Sequence, residues 1–377
     1  MNELIPKYEN QYIEFKSESI KAMSLAEEIV AFANSEGGEI WLGIEDDGSV
    51  SGVSKNYEED IMNICRNNCI PPLKTVYEQI RIQTIDIAKI TIPKGKDKPY
   101  YTAQNKYYIR VGSTKRIASR EELLRLFQSS GAFHYDLIPV DRAKITDLDT
   151  NFIAEYFTRY QISFLEEPES ERLRLMAASD ILSDNQKHPT IAGLLIFGII
   201  PERFLPACGI SFAHFAGDDI EEELIDKQHI KGTLARQVDN CLATIQANIL
   251  TGSTIVGTKR VEEPHYPVKV FRELLVNACV HRNYSLTTAN IRIFKFRNRL
   301  EFISPGRLPN GVSIEKLSVG TSFPRNPTLV RFMENLGYMD KLGRGLPMVC
   351  REASQLGLTV EFLELGQEFK VVLPLKT

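Results

Sequence analysis

The chain has a single tryptophan, only six cysteines and no apolar run near 18 residues. Each shortage removes a class of protein. Without such a run no segment reads as a membrane-spanning helix, and the charged-then-apolar pattern of a secretory signal is missing too. Cys65, Cys69, Cys208, Cys241, Cys279 and Cys350 are scattered among apolar neighbours. Cys65 and Cys69 lack a second ligand pair, so neither a zinc site nor a disulfide framework is expected. Reduced thiols in a cytoplasmic protein are the simplest reading. No internal repeat is present. The net charge is only −4, which argues against a uniformly basic nucleic-acid coat.

The balance is uneven along the chain. Residues 1–130 carry 17 basic and 19 acidic side chains, residues 131–260 carry 12 and 19, and residues 261–377 carry 16 and 11. Any nucleic-acid surface is therefore a local patch. A hydrophobic content of 43% and a charged content of 25% are those of a globular protein, and 377 residues allow two to three domains. In the middle third, Asn151 to Thr158 reads as a capped amphipathic helix. Thr190 to Gly198 and Cys208 to Phe215 read as core strands, and Gly217 to Glu223 as an acidic loop. Leu234 to Ile249 reads as a long helix. His188, His214 and His229 show no metal spacing and read as structural. This third is expected to be a connector whose strands join the sheet of the C-terminal part.

Phe271 to Ser285 is the most informative stretch. Glu273, Asn277 and His281 are spaced by four, so on a helix they form one polar stripe, with Leu274, Leu275, Ala278 and Val280 on the apolar side. An amide oxygen is a hard ligand suited to Mg²⁺, and a carboxylate one turn away can take a proton from water. An ordinary surface helix is the alternative. Ile291 to Phe296 and Leu300 to Ile303 then read as a hairpin turning at Arg297-Asn298. A Gly- and Pro-bearing loop runs from Ser304 to Gly311, a second from Gly320 to Pro327. Leu342 to Cys350 reads as a glycine turn opening a helix, whose free N–H groups can hold phosphate.

That order of segments, over about residues 265–375, resembles the Bergerat-type ATP-binding fold of gyrases, Hsp90-like chaperones, histidine kinases and MutL-like proteins. It is most similar to a divergent branch in bacterial proteins labelled transcriptional regulators or helicase-related. The resemblance implies ATP and Mg²⁺ as ligands, with Glu273 as hydrolytic base of a weak ATPase and Asn277 as Mg²⁺ ligand. It places Gly306 in the adenine-side loop and Gly343 and Gly345 in the phosphate loop, with Gly320, Thr321 and His281 also facing the nucleotide. Ser304-Pro305-Gly306 departs from the family pattern, which has an aspartate reading the adenine amino group.

At the other end, Glu9 to Lys16 is followed by Leu25 to Asn34, whose apolar positions make a buried helical face. Ser35 to Gly38 turns into a strand from Glu39 to Glu45, and Asp46 to Ser49 turns the chain back. Tyr107 to Ala118 reads as a strand ending in a small basic loop. This layout, over about residues 5–125, resembles the Schlafen-type, AlbA-like domain described as DNA-binding. In Schlafen ribonucleases two glutamates five residues apart and a later aspartate form a metal-dependent site. The resemblance would assign those roles to Glu9, Glu14 and Asp46, with Asp47 as an alternative for the third. The competing reading pairs Glu14 with Lys16 and makes Asp46 and Asp47 turn formers. Lys94, Lys96, Lys98, Arg110, Lys115, Arg116 and Arg120 are the cations that could meet phosphate.

The expectation is an α+β protein in three parts. Residues 1–130 are an AlbA-like nucleic-acid-binding domain, 131–260 an α/β connector, and 261–377 a Bergerat-like α/β sandwich. The leading function is ATP-responsive nucleic-acid binding of a regulatory kind, with DNA ahead of RNA, no membrane partner, and homodimers or higher homo-oligomers by analogy. The rivals are an ATP-gated nuclease using Glu9, Glu14 and Asp46, and an interaction scaffold with a degenerate nucleotide site.

Overall fold

The computed structural model describes residues 5–130, 133–249, 252–256, 259–263, 266–309, 312–320, 323–340 and 343–375. The chain divides into two compact units, residues 1–133 and 134–377, and is of mixed α and β content.

In the first unit the elements are β1 (Ile13–Lys16), α1 (Ala22–Asn34), β2 (Gly38–Leu42), α2 (Glu58–Asn67), β3 (Cys69–Ile70), β4 (Val76–Ile82), β5 (Ile85–Ile92), β6 (Tyr101–Thr102), β7 (Tyr108–Val111), β8 (Thr114–Ile117) and α3 (Arg120–Ser129). β1 and β2 are parallel, with Glu14 beside Ile40 and Phe15 beside Trp41. α1 makes the crossover that a parallel pair requires. Antiparallel pairing adds β5 and β4, in the order β1-β2-β5-β4. α1 also touches α2 and strands β6, β7 and β8. It is therefore covered on more than its apolar face, and Glu28 and Asn34 are buried along with Leu25, Ile29 and Phe32. Asn34 explains its own burial. Its Nδ2 donates to the carbonyls of Tyr100 and Tyr108, at 2.7 and 2.9 Å, and its Oδ1 accepts from the Tyr100 N–H at 2.7 Å.

Tyr107 to Ala118 is a correction to the sequence reading. It is two strands, β7 and β8, paired Tyr108 with Ile117 and Val111 with Thr114. Gly112, at φ +63°, lies in the turn between them. Lys115 and Arg116 thus stand on a strand rather than in a loop.

The second unit contains α4 (Thr150–Thr158), α5 (Glu169–Ala178), α6 (Ile191–Phe197), β9 (Ile210–Phe215), β10 (Leu224–Ile230), α7 (Leu234–Asn248), β11 (Gly252–Val256), β12 (Lys259–Glu263), α8 (Val268–Val280), β13 (Ile291–Lys295), β14 (Arg299–Pro305), α9 (Ile314–Leu317), α10 (Pro327–Asn335), α11 (Gly345–Gln355), β15 (Glu361–Leu365) and β16 (Glu368–Pro374). Its main sheet runs β10-β9-β13-β14-β16-β15. Only β9 and β13 are parallel in it, Phe212 beside Ile293. Through that pair the middle third joins the sheet of the C-terminal part, and one apolar core runs from Ala143 to Leu375. α7 touches β9 and β10 while α8 touches β14, and α7, α10 and α11 each touch α8.

Thr190 to Gly198 is the second correction. The stretch is helix α6, not a strand. Thr190 Oγ1 accepts from the Gly193 N–H at 2.9 Å and starts the helix, and all seven helical residues are buried. A seven-residue apolar run carries no periodicity that separates a buried helix from a buried strand. β10, by contrast, has no sequence signature. It is an edge strand with Leu224, Ile225, Lys227, Gln228 and His229 all exposed, so no alternation marks it.

Candidate functional site

α8 carries the stripe expected from its spacing. Val270, Phe271, Leu274, Leu275 and Cys279 are buried and fix the helix on the sheet, each such side chain contributing about 1.5–3 kcal/mol. Glu273, Asn277 and His281 are left half-buried along one edge. Asn277 Nδ2 donates to Glu273 Oε1 at 2.7 Å and to the Glu273 carbonyl at 2.8 Å. Both partners are acceptors, so the amide orientation is fixed, and Oδ1 is the group left to accept. Burial raises the Glu273 carboxyl above the usual carboxylate range; the Asn277 hydrogen bond and Arg272 oppose this, and Asp340 adds to it.

Glu273, Asn277, His281, Gly306, Gly343 and Gly345 line one cleft. They come from three separate segments: α8, the loop after β14, and the turn into α11. Leu274, Ala278, Phe302, Leu346, Phe369 and Val371 give the cleft an apolar lining. Gly345 is pressed on the Glu273 carboxylate, and a Cβ there would stand 1.6 Å from Oε1. Gly306, at φ +115°, abuts Asn283, whose Cβ would be 2.7 Å from an added methyl. Gly320 lies against the Gly343 carbonyl, 2.6 Å from a built Cβ. Thr321 lies outside the described residues. At Ser304 the hydroxyl donates to the Ala278 carbonyl at 2.9 Å. Burial and the Arg325 guanidinium lower the His281 imidazole to about 4, so without ligand it is neutral near pH 7.

Sequence reasoning missed Arg325, Asn326 and Asp136. Arg325 Nε donates to the His281 carbonyl at 3.1 Å and Nη2 to the Arg307 carbonyl. Asn326 is wholly buried. Asp136 Oδ2 accepts from the N–H groups of Thr328 and Leu329, at 2.9 and 3.2 Å, capping α10 from almost 200 residues away. The three histidines read as structural have ordinary partners: Ala143 for His188, Asn248 for His214 and Ser211 for His229.

Several of the charged residues singled out in the first unit form ion pairs. Glu9 and Glu14 do approach each other, but around a cation. Lys16 Nζ is 2.5 Å from Glu14 Oε1 and 3.9 Å from Glu9 Oε1, and Glu9 also accepts from the Phe15 N–H at 2.8 Å. Arg110 Nη1 lies 2.8 Å from Glu14 and 3.4 Å from Glu28. Its guanidinium packs 4.2 Å above the Phe32 ring. Asp46 is exposed in a turn where Asp47 Oδ1 accepts from the Ser49 N–H at 2.9 Å. Among the described residues no group of three His, Cys, Asp or Glu could hold a metal ion, so Glu9, Glu14 and Asp46 are not assembled as a metal site.

The basic residues sort by burial. The Arg110 side chain has no exposed surface. Lys98 is buried, donating to the Ser35 carbonyl at 2.7 Å. Neither can reach a phosphate, which corrects their sequence assignment. Lys115 is held by Glu27 and Glu28, 3.0 Å from each. Lys94 pairs with Glu36 at 3.2 Å, and Arg116 pairs with Glu122 at 2.6 Å. Lys96 and Arg120 are exposed.

Comparison with known proteins bears out both resemblances. Residues 9–119 match the family model described as "Schlafen, AlbA_2". Residues 288–373 match the model described as "Putative ATP-dependent DNA helicase recG C-terminal", a span that begins beyond Glu273, Asn277 and His281. The chain thus pairs a segment similar to one nucleic-acid-related family with a segment similar to another. Among solved structures, it is similar to the DIP2311 protein of Corynebacterium diphtheriae, with 19% identity, a TM-score of 0.51, and coverage of 97% of this chain and 75% of that one. That likeness concerns the fold. A shorter match, with 24% identity and a TM-score of 0.23, covers 29% of this chain and 81% of the other. Its counterpart is the N-terminal domain of a "Putative ATP-dependent DNA Helicase RecG-related Protein" from Nitrosomonas europaea. No curated protein matches. Among the described residues no helix is long and apolar enough to cross a membrane.

Proposed function

We propose that the protein is an ATP-responsive nucleic-acid-binding regulator whose C-terminal cleft takes Mg-ATP. The observation that carries this reading is the meeting of Glu273, Asn277, His281, Gly306, Gly343 and Gly345 in one cleft. Asn277 offers Oδ1 to Mg²⁺, since its Nδ2 is committed to Glu273. Mg²⁺, when bound, neutralises phosphate charge. The N–H groups at the start of α11, beside Gly343 and Gly345, face the phosphates. Glu273, raised by burial, is placed to accept a proton from water, giving at most a slow ATPase. The apolar lining from Phe302, Phe369 and Val371 suits a planar base.

Nucleic acid, DNA in preference to RNA, is assigned to the first unit on its similarity to the Schlafen AlbA_2 model. The cations left to contact phosphate are Lys96, Arg120, Lys94 and Arg116, the last two by exchanging a carboxylate partner. Ligand in the cleft orders the segments around Gly306, Gly320 and Gly343, and that ordering changes nucleic-acid affinity. The test is DNA affinity of the full chain with and without Mg-ATP. A severalfold difference supports the reading. Equal affinity, or no binding of DNA or RNA at low salt, contradicts it and leaves the scaffold reading.

A further inference from the structure

The last carbonyls of a helix have no helical N–H partner, and at the end of α8 the carbonyls of Val280 and His281, with that of Arg282 just beyond the helix, are captured by two consecutive side chains. Asn326 Nδ2 donates to the carbonyls of Val280 and Arg282, both at 2.8 Å. Arg325 Nε donates to the carbonyl between them, that of His281, at 3.1 Å. The guanidinium has a second arm. Nη2 donates to the Arg307 carbonyl, in the loop that follows β14. His281 and Arg307 both line the cleft. One rigid planar group therefore joins two cleft walls, the end of α8 and the loop after β14.

Among the described residues there, Pro305, Gly306 and Leu308 are bonded to other segments. The Asn283 N–H donates to the Pro305 carbonyl and the Gly306 N–H to the Gln367 carbonyl, each at 2.7 Å. The Leu308 N–H donates to Glu364 Oε1 at 2.6 Å. Arg325 reaches the loop from a fourth segment, the one that runs from Gly320 beside Gly343 to the start of α10. We propose that Arg325 is a positioning residue: it sets the spacing between the α8 end and the Arg307 loop, and through that spacing the affinity of the cleft. Lysine cannot replace it, because an ammonium lacks the fixed fork that serves two carbonyls at once. The affinity consequence rests on the nucleotide reading above; the spacing consequence does not.

Both are measured on the full chain. Hydrogen exchange at the amides of Gly306 and Leu308 is followed without ligand in wild type, Arg325→Ala and Arg325→Lys. Both variants are expected to speed exchange there about tenfold or more, the equivalent of losing a charge-assisted bond. The amide of Val330, bonded to the Asn326 carbonyl at 3.1 Å, should keep its wild-type rate. Mg-ATP affinity should fall about tenfold in both variants, and methylguanidinium should restore part of it in Arg325→Ala. Unchanged exchange at Gly306 and Leu308 overturns the proposal, as does a rise shared equally by Val330, which would mark general loosening. Faster local exchange with unchanged affinity overturns the link to binding. A wild type that binds no Mg-ATP contradicts the nucleotide reading, while the exchange rates still decide the role of Arg325.

Discussion

Gly345 and the Glu273 carboxylate are in such close contact that any side chain at 345 would displace the carboxylate, since a Cβ would lie 1.6 Å from Oε1. Gly345→Ala should cost about 1–3 kcal/mol of stability through overpacking and should weaken ligand binding. Glu273→Ala removes the obstructing group, so the double variant should recover much of the loss. Chemical denaturation of the four proteins checks this. A coupling near zero, where about 1 kcal/mol is expected, would mean the contact is relaxed in solution.

Arg110 and Arg116 should behave oppositely although they sit on paired strands. Arg110→Ala leaves Glu14 and Glu28 buried beside a missing partner and should destabilise the first unit by about 3–5 kcal/mol. Arg116→Ala breaks an exposed pair with Glu122 and should leave the unfolding midpoint nearly unchanged. Thermal melts distinguish the two, and a harmless Arg110→Ala would show that the ion-pair cluster is not built as described.

Nucleic-acid affinity should depend on salt with a shallow slope. With phosphate contacts at Lys94, Lys96, Arg116 and Arg120 alone, about four in all, the log–log slope should be about −4. Titrations between low and moderate salt measure it. A slope near −6 or steeper would require contacts beyond these four cations and would contradict the assignment.

The pH dependence of stability should carry the signature of His281. Its imidazole is lowered from 6.5 to about 4 by burial and by Arg325, so the unfolded chain binds a proton that the folded one refuses. Stability from this group is complete above pH 6.5 and is lost as the pH falls towards 4. Urea unfolding of wild type and His281→Asn across that window should show a flatter profile in the variant. Parallel profiles would contradict the assignment.

The elements that were legible in the sequence are those whose signal is local. A four-residue period marks Glu273, Asn277 and His281 as one helix edge, and turn residues at Arg297-Asn298 mark the hairpin. The cleft itself was legible only as an order of such local signals. What stayed hidden depends on partners far along the chain. Arg325 and Asn326 act on carbonyls 44 or 46 residues earlier for the end of α8, and Asp136 caps a helix 192 residues later. Lys98 and Arg110 look like exposed cations until the Ser35 carbonyl and the Glu14–Glu28 pair are seen to enclose them. Thr190 to Gly198 failed for a different reason, an apolar run too short to show its period.

The central claim is that the C-terminal cleft binds Mg-ATP with Asn277 holding the metal. Isothermal calorimetry of Mg-ATP with wild type, Asn277→Ala and Glu273→Ala tests it most directly. The account predicts saturable binding to wild type, retained in Glu273→Ala and weakened about tenfold or more in Asn277→Ala, the loss of a charge-assisted ligand. Absent binding to wild type, or equal affinity in wild type and Asn277→Ala, would contradict it.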